Sequence, residues 1–244
     1  MAEEFIPLDE ITKLEITSVG GNLYLTGWNR EDIRIKELSD QDLVEKKKKI
    51  LKLTFSADAI IHLPHSLTTS VGTVGGDLSI HDIKGQLEIN SVGGDLSLIN
   101  IDTAKIKTVG GDSLAKRVQG DLLIDSTGGD GLIDTVNGQI SLRKVGGDAQ
   151  LERIDGGIEL NASGEVRLNF HPVPWQAYQV IAGGDISATI PDNSSAELSL
   201  ISGQENITVI IGDLDLKLKE SQLQQQIGEG GPVIMLEAGG KVFL

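Results

Sequence analysis

The sequence predicts an all-β fold: a single-stranded β-solenoid of the β-helix or β-roll kind, with about 18 residues and two strands per coil and a cap at each end. Three observations carry that expectation. The stretch "SVGGDLSL" at 91–98 returns with small changes as "TVGGDLSI" at 73, "TVGGDSLA" at 108, "STGGDGLI" at 126 and "KVGGDAQL" at 144. Cut from Val74, the chain falls into units of nine such as "VGGDLSIHD" and "IKGQLEINS", with one unit of eight, "IDTAKIKT". Units starting at 74, 92, 109, 127 and 145 carry Gly-Gly-Asp and those at 83, 118 and 136 a single glycine, so the true period is about 18. A strand-rich period that short leaves no room for a helical crossover, and coils then stack about 4.8 Å apart.

Each unit reads apolar, any, Gly, polar, apolar, polar, apolar, polar, polar. Positions five and seven alternate as a short strand with one buried face, and glycine at position three is expected to supply the backbone freedom of a tight turn. Val74, Val92, Val109 and Val145 then form one interior ladder, with Leu78, Leu96, Ile80 and Leu98 beside it. Two units per coil give a flattened, two-sheeted section. A triangular section is the alternative, since units of nine could group in threes, but the Gly-Gly-Asp turns would then not stack like on like.

The ends depart from the repeat. "SVGGNLYLTGW" at 18–28 is one more unit, and "EDIRIKELSDQDLVEKKKKILKLTF" reads as strand, polar excursion and strand, separating that first rung from the rest. A short helix is expected from about Ser39, with Asp42 placed for a capping box. After Gly164 the spacing loosens at "HPVPWQAYQV"; "AGGDISATI" and "ISGQENITV" resume the repeat. "KESQLQQQIGEGGP" reads as a polar linker and "VIMLEAGGKVFL" as a hairpin with a glycine turn. The expected organisation is thus residues 1–72 as first rung and β cap, 73–212 as solenoid repeats, and 213–244 as linker and β-hairpin cap. Caps are needed because an open end exposes backbone groups and apolar side chains.

Composition narrows the function. With 39% hydrophobic residues the chain can bury a core, and its 30 glycines fall at fixed intervals, so they are architectural. Lys and Arg total 21 against 36 Asp and Glu, a net charge of −15, which disfavours nucleic acid and anionic lipid. Cysteine is absent, which removes thiol chemistry and disulfides. No window has 18 consecutive apolar residues and the opening "MAEEFIPLDEITKLEI" is not a signal peptide, so direct membrane insertion is not expected. As written the chain is expected in the cytoplasm, or at the cell envelope if a signal or anchor has been removed.

"LEITSVGGNLYLTGWNREDIRI" followed by "ADAIIHLPHSLTTSVGTVGGDLSIHDIKGQLEINSVGGDLSL" resembles the bacterial putative-adhesin family, a domain of unknown function built from Gly-Asp strand repeats. The resemblance runs from about residue 10 to 210 and rests on the Gly-Asp/Asn-apolar-x-apolar rungs, the early "TGW" and the "LP" before the repeats. It implies a β-solenoid and an envelope-associated, adhesin-like role.

Chemistry is sparse. Asp77, Asp95, Asp112, Asp130 and Asp148 recur at spacings of 18, 17, 18 and 18 and would line one edge as a carboxylate column, the weak candidate for a metal site, with calcium the cation such oxygens would take. The competing reading is that aspartate after Gly-Gly bonds neighbouring amides and starts the strand. His62 and His65 have an H-x-x-H spacing interrupted by Pro64, His81 and His171 stand alone, and no G-x-S-x-G occurs. Trp28, Trp175, Tyr24 and Tyr178 are too few for a long sugar groove, and "EKKKKILK" at 45–52 reads as a solvated loop. No catalytic residue or cofactor is expected. The function expected is a non-enzymatic scaffold acting through a protein partner or self-association, with a binding module for envelope glycan or calcium as the alternative and a polysaccharide-acting enzyme as a distant one.

Overall fold

The computed structural model describes residues 2–8 and 10–244, and every regular element among them is a β-strand. The fold is all-β, with two open, mostly parallel sheets, the arrangement a β-solenoid requires. The chain divides into two compact units, Met1–Asp121 and Leu122–Leu244.

The first unit contains β1 (Ala2–Pro7), β2 (Lys13–Val19), β3 (Leu23–Trp28), β4 (Asp32–Leu38), β5 (Leu43–Lys47), β6 (Ile50–Phe55), β7 (Ala59–Pro64), β8 (Thr68–Val74), β9 (Leu78–His81), β10 (Gln86–Val92), β11 (Leu96–Ile101), β12 (Thr103–Val109) and β13 (Ser113–Val118). One sheet runs β1-β4-β7-β3-β9-β11-β13 and the other β5-β6-β2-β8-β10-β12. Register follows the repeat. Leu78 pairs with Leu96, and Val74 with Val92 and Val92 with Val109, so like residues stack.

The insertion at 31–55 does not separate the first rung from the repeats. β2 pairs in parallel with both β6 and β8, and β3 with both β7 and β9, so the first rung lies directly against the repeats and β4–β7 are added on its far side. Antiparallel pairing of β1 with β4, β4 with β7 and β5 with β6 completes that side, with β1 and β5 as the edge strands. The expected helix at Ser39 is absent. Asp42 does accept from the Ser39 N–H at 2.8 Å, as a capping box would have it, but its other oxygen accepts from Ser56 N–H at 2.9 Å, which closes a turn between strands. Leu43 and Val44 pair with β6 instead of starting a helix.

The second unit contains β14 (Leu122–Thr127), β15 (Gly131–Val136), β16 (Ile140–Val145), β17 (Ala149–Ile154), β18 (Ile158–Ala162), β19 (Val166–Phe170), β20 (Tyr178–Ala182), β21 (Ile186–Thr189), β22 (Ala196–Ser202), β23 (Ile207–Ile211), β24 (Leu214–Leu218), β25 (Gln222–Ile227), β26 (Val233–Ala238) and β27 (Val242–Phe243). Its sheets run β15-β17-β19-β21-β27-β23-β24 and β14-β16-β18-β20-β26-β22-β25. The segment "HPVPWQA" loops out between β19 and β20, and the rungs continue past it, with Ile158 paired to Tyr178. Tyr178 closes the base of that loop: its ring packs on Phe170 at 4.9 Å and its hydroxyl accepts from Val173 N–H at 2.8 Å.

The last segment is not a hairpin. β26 and β27 lie in different sheets and each runs parallel to its neighbours, β26 between β20 and β22, and β27 between β21 and β23. Nor is 219–232 merely a linker, because Gln222–Ile227 is an antiparallel edge strand on β22. The chain lays down β22 and β23 one place too far and returns to fill the gap.

Alternate residues along the strands are buried, including Leu25, Ile80, Leu98, Ile133, Leu151 and Val209, all 0% exposed. Each such side chain contributes roughly 1.5–3 kcal/mol relative to exposure. The turns differ from the sequence expectation. Repeat glycines such as Gly93 and Gly94 do not have positive φ; a Cβ on Gly93 would collide with the Gly75 carbonyl oxygen, so space rather than dihedral freedom is what they supply. Left-handed backbone occurs instead at position nine of the Gly-Gly-Asp units: Asp82, Asn100, Arg117, Thr135 and Arg153 have φ of 59°, 57°, 56°, 60° and 55°. A side chain in that conformation costs about 1–2 kcal/mol, which explains why the repeat keeps this corner polar and mostly unbranched.

Candidate interaction face and the aspartate ladder

The recurring aspartates are built into the backbone. Asp95 N–H donates to Asp77 Oδ1 at 2.9 Å, 18 residues back, and Asp112 N–H to Asp95 Oδ1 at 2.8 Å. In the second unit Asp148 N–H donates to Asp130 Oδ1 at 2.8 Å and Glu165 N–H to Asp148 Oδ1 at 2.7 Å. Each carboxylate thus receives an amide from the following turn, while the glycine ahead of that amide lies flat against the same oxygen. Asn22 holds the equivalent place in the first rung, accepting from Asp77 N–H at 2.8 Å, so a neutral amide performs the same task.

A substitution pair separates this ladder from a charge-dependent site. Asp95→Ala, which orphans the Asp112 amide, is expected to cost about 1–2 kcal/mol in urea unfolding. Asp95→Asn is expected to stay within about 0.5 kcal/mol of wild type, since Oδ1 is retained and a like-charge contact is relieved. Among the described residues no group of three or more His, Asp or Glu side chains converges as a metal site would require.

The histidines are distributed differently from their spacing. His65 Nδ1 meets the Asp82 carbonyl oxygen at 2.5 Å, in the space that a Cβ on Gly27 would fill, which accounts for the glycine of "TGW". His62 turns onto the outer face of its sheet. There the register aligns Phe5, Arg34, His62, Thr26 and His81 in one row across β1, β4, β7, β3 and β9. His81, isolated in sequence, therefore joins the row that His62 occupies, with Nε2 3.1 Å from Ser79 Oγ.

This row is part of a surface of mixed aromatic and charged residues in the first unit. Alternation along "LYLTGW" buries Leu23 and Leu25 and turns Tyr24, Thr26 and Trp28 outward. Trp28 Nε1 donates to the Asp32 carbonyl at 2.8 Å, fixing the ring, and His62 packs beside it at 5.3 Å. The Arg30 guanidinium lies 4.7 Å from the Trp28 ring and 5.5 Å from Phe5, while Arg34 lies 5.6 Å from Phe5. Such contacts contribute about 0.5–1 kcal/mol each at exposed sites and fix the side chains in place. Asp32 holds Arg30 through two bonds of 2.9 and 2.6 Å, and Glu3 holds Arg34. Desolvation, then the nearby Lys36 and Arg34 charges, push His62 below its ordinary value, so it stays neutral at neutral pH; its Nδ1 is buried with no hydrogen-bond partner among the described residues. Phe5 and Tyr24 remain 46% and 44% exposed.

Sequence reasoning singled out Trp28 and Tyr24 but missed Phe5, Arg30, Arg34 and His62 as their companions. The alternation in "REDIRIKE", which turns Arg34 and Lys36 to one side, was the available signal.

An all-β repeat protein with two mostly parallel sheets is the class these observations define. No family model matches the chain, and no curated protein matches it. Among solved structures it is similar to the crystal structure of a "putative cell adhesion protein" from Clostridium sporogenes, with 12% sequence identity and a TM-score of 0.23 over 99% of this chain and 97% of that one. No helix among the described residues is long and apolar enough to cross a membrane.

Proposed function

We propose that the chain is a non-enzymatic, cofactor-free β-solenoid scaffold of adhesin-like kind, acting through protein-protein contact or self-association. Its coils hold about 18 residues and two strands, as the 18-residue step of the aspartate ladder supports, and the antiparallel strands β1, β4 and β5 of the first unit and β24 and β25 of the second act as caps. One observation carries the functional reading: the outer face around Trp28 gathers Tyr, Trp, Phe and Arg on an otherwise acidic chain, with Trp28, Arg30 and Arg34 already held by hydrogen bonds or ion pairs. Those residue types dominate binding energy at protein interfaces, and rigid anchors lose little entropy on association. Arg30 covers the Trp28 ring, which favours a protein partner over a stacked sugar.

The test is a purified partner, identified by cross-linking in extracts of the source cells and titrated against wild type and Arg30→Glu. Arg30 is solvent-exposed, so the variant is expected to fold, melting a few degrees below wild type as its two ring contacts and the Asp32 pair are lost, and binding is compared at a temperature where both are folded. Its affinity is expected to fall at least about tenfold. A partner that binds both chains equally, or no partner that rebinds in purified form, would overturn the reading.

A further inference from the structure

The two sheet edges of the second unit have a composition that a neutral cap does not need. β24, "LDLKL", is the edge of one sheet and β25, "QLQQQI", of the other. The inward residues Leu214, Leu216, Leu218 and Leu223 are only half-buried, whereas Val209, Leu198 and Leu200 on the adjacent strands are 0–2% exposed. Beside Leu214 an open cavity is lined by Ile211, Leu214, Gln225 and Ile227, together with polar residues such as Asp192 and Ser194. The outward residues Asp215 and Lys217 are exposed and meet each other only within the strand, at 3.6 Å, an exposed contact of small value.

We infer that this end binds a second copy of the chain, edge to edge, as a two-fold dimer. "LDLKL" is self-complementary. In antiparallel pairing centred on Leu216, Leu214 faces Leu218 of the other copy, and Asp215 faces Lys217 in both directions. That gives two cross-strand ion pairs on the outer side and a continuous row of leucines on the inner side. A two-fold axis perpendicular to the sheets keeps each face on its own side, so the same rotation sets β25 beside β25 of the other copy. Its four glutamines carry no charge, and no register opposes like charges there. The edge strand β5 of the first unit is unlike this: centring "LVEKK" on its middle residue sets Glu45 against Glu45, and Lys46 and Lys47 guard it as charged edges commonly do. The inference names the partner for the self-association part of the proposed function. It uses residues that the face around Trp28 does not share, so either can fail alone.

Sedimentation velocity over a hundredfold concentration range tests it, with the full chain as wild type, Asp215→Lys, Lys217→Asp and the double exchange. Both residues are more than half exposed, so folding is expected to be unchanged, and circular dichroism checks this. Wild type is expected to reach dimer and stop, because a two-fold contact closes at two. Each single variant opposes like charges twice and is expected to dimerise about tenfold more weakly or worse. The double exchange restores complementarity and is expected to recover the dimer, as is an equimolar mixture of the two single variants. A wild type that stays monomeric, grows beyond dimer, or ignores the single reversals would overturn the inference.

Discussion

Gly93→Ala is expected to destabilise the first unit by about 3 kcal/mol, seen as a fall in the urea midpoint at unchanged slope. The added Cβ would overlap the carbonyl oxygen of Gly75 in the preceding rung. That oxygen belongs to backbone, so no side-chain rotation relieves the collision. The rungs would have to part where Gly93 N–H donates to Val74 O at 2.8 Å and Gly94 N–H to Gly76 O at 2.9 Å, and both bonds would weaken. Gly131→Ala is the control. It stands in a strand, and the nearest atoms to its added Cβ are 3.8 Å away on Leu142 and Val145, so the methyl fits. That variant is expected to be neutral or more stable by about 0.5–1 kcal/mol, because the unfolded chain loses freedom. Equal losses at both positions would mean that rung spacing is not what the repeat glycines protect.

Leu98→Ala is expected to cost about 3–4 kcal/mol in the same measurement. Leu98 is fully buried on β11, paired with Ile80 on one side and with Ala115 on the other. Ala115 is already small, so the truncation joins two short side chains in one layer and leaves a void. Closing it would require the rungs to shift while their peptide bonds hold them in register. A loss under about 1 kcal/mol would indicate that the layer collapses around the gap.

The strands were legible because each repeat states its own period. Val74, Val92 and Val109 stack as their spacing predicts, and the aspartates form a column of linked turns. Strand order was not legible, because which rung a strand joins depends on which edge is open, not on its own residues. β2 and β3 carry an ordinary repeat pattern, and nothing in it says that β6 and β7 will be added on the far side. "VIMLEAGGKVFL" has the apolar, Gly-Gly, apolar order of a rung; the glycine pair is equally that of a hairpin, and only the vacancy between β20 and β22 decides. The Ser39 to Asp42 spacing suits a capping box and a β-turn alike, and pairing of Leu43 and Val44 with β6 selects the turn. The candidate face was hidden for the same reason. Phe5, Arg34 and His62 come from three strands whose adjacency is set by that out-of-order insertion.

Scanning calorimetry of wild type and of an Asp77→Asn, Asp95→Asn, Asp148→Asn variant, each in calcium and in chelator, tests most directly whether the Gly-Asp repeat serves the fold or a ligand. If the aspartates act as hydrogen-bond acceptors, as Asn22 does between Asp58 and Asp77 in the column, calcium leaves both melting temperatures unchanged and the variant melts at or slightly above wild type. A rise of several degrees with calcium in the wild type, lost in the variant, would contradict the scaffold reading and make the column a cation site.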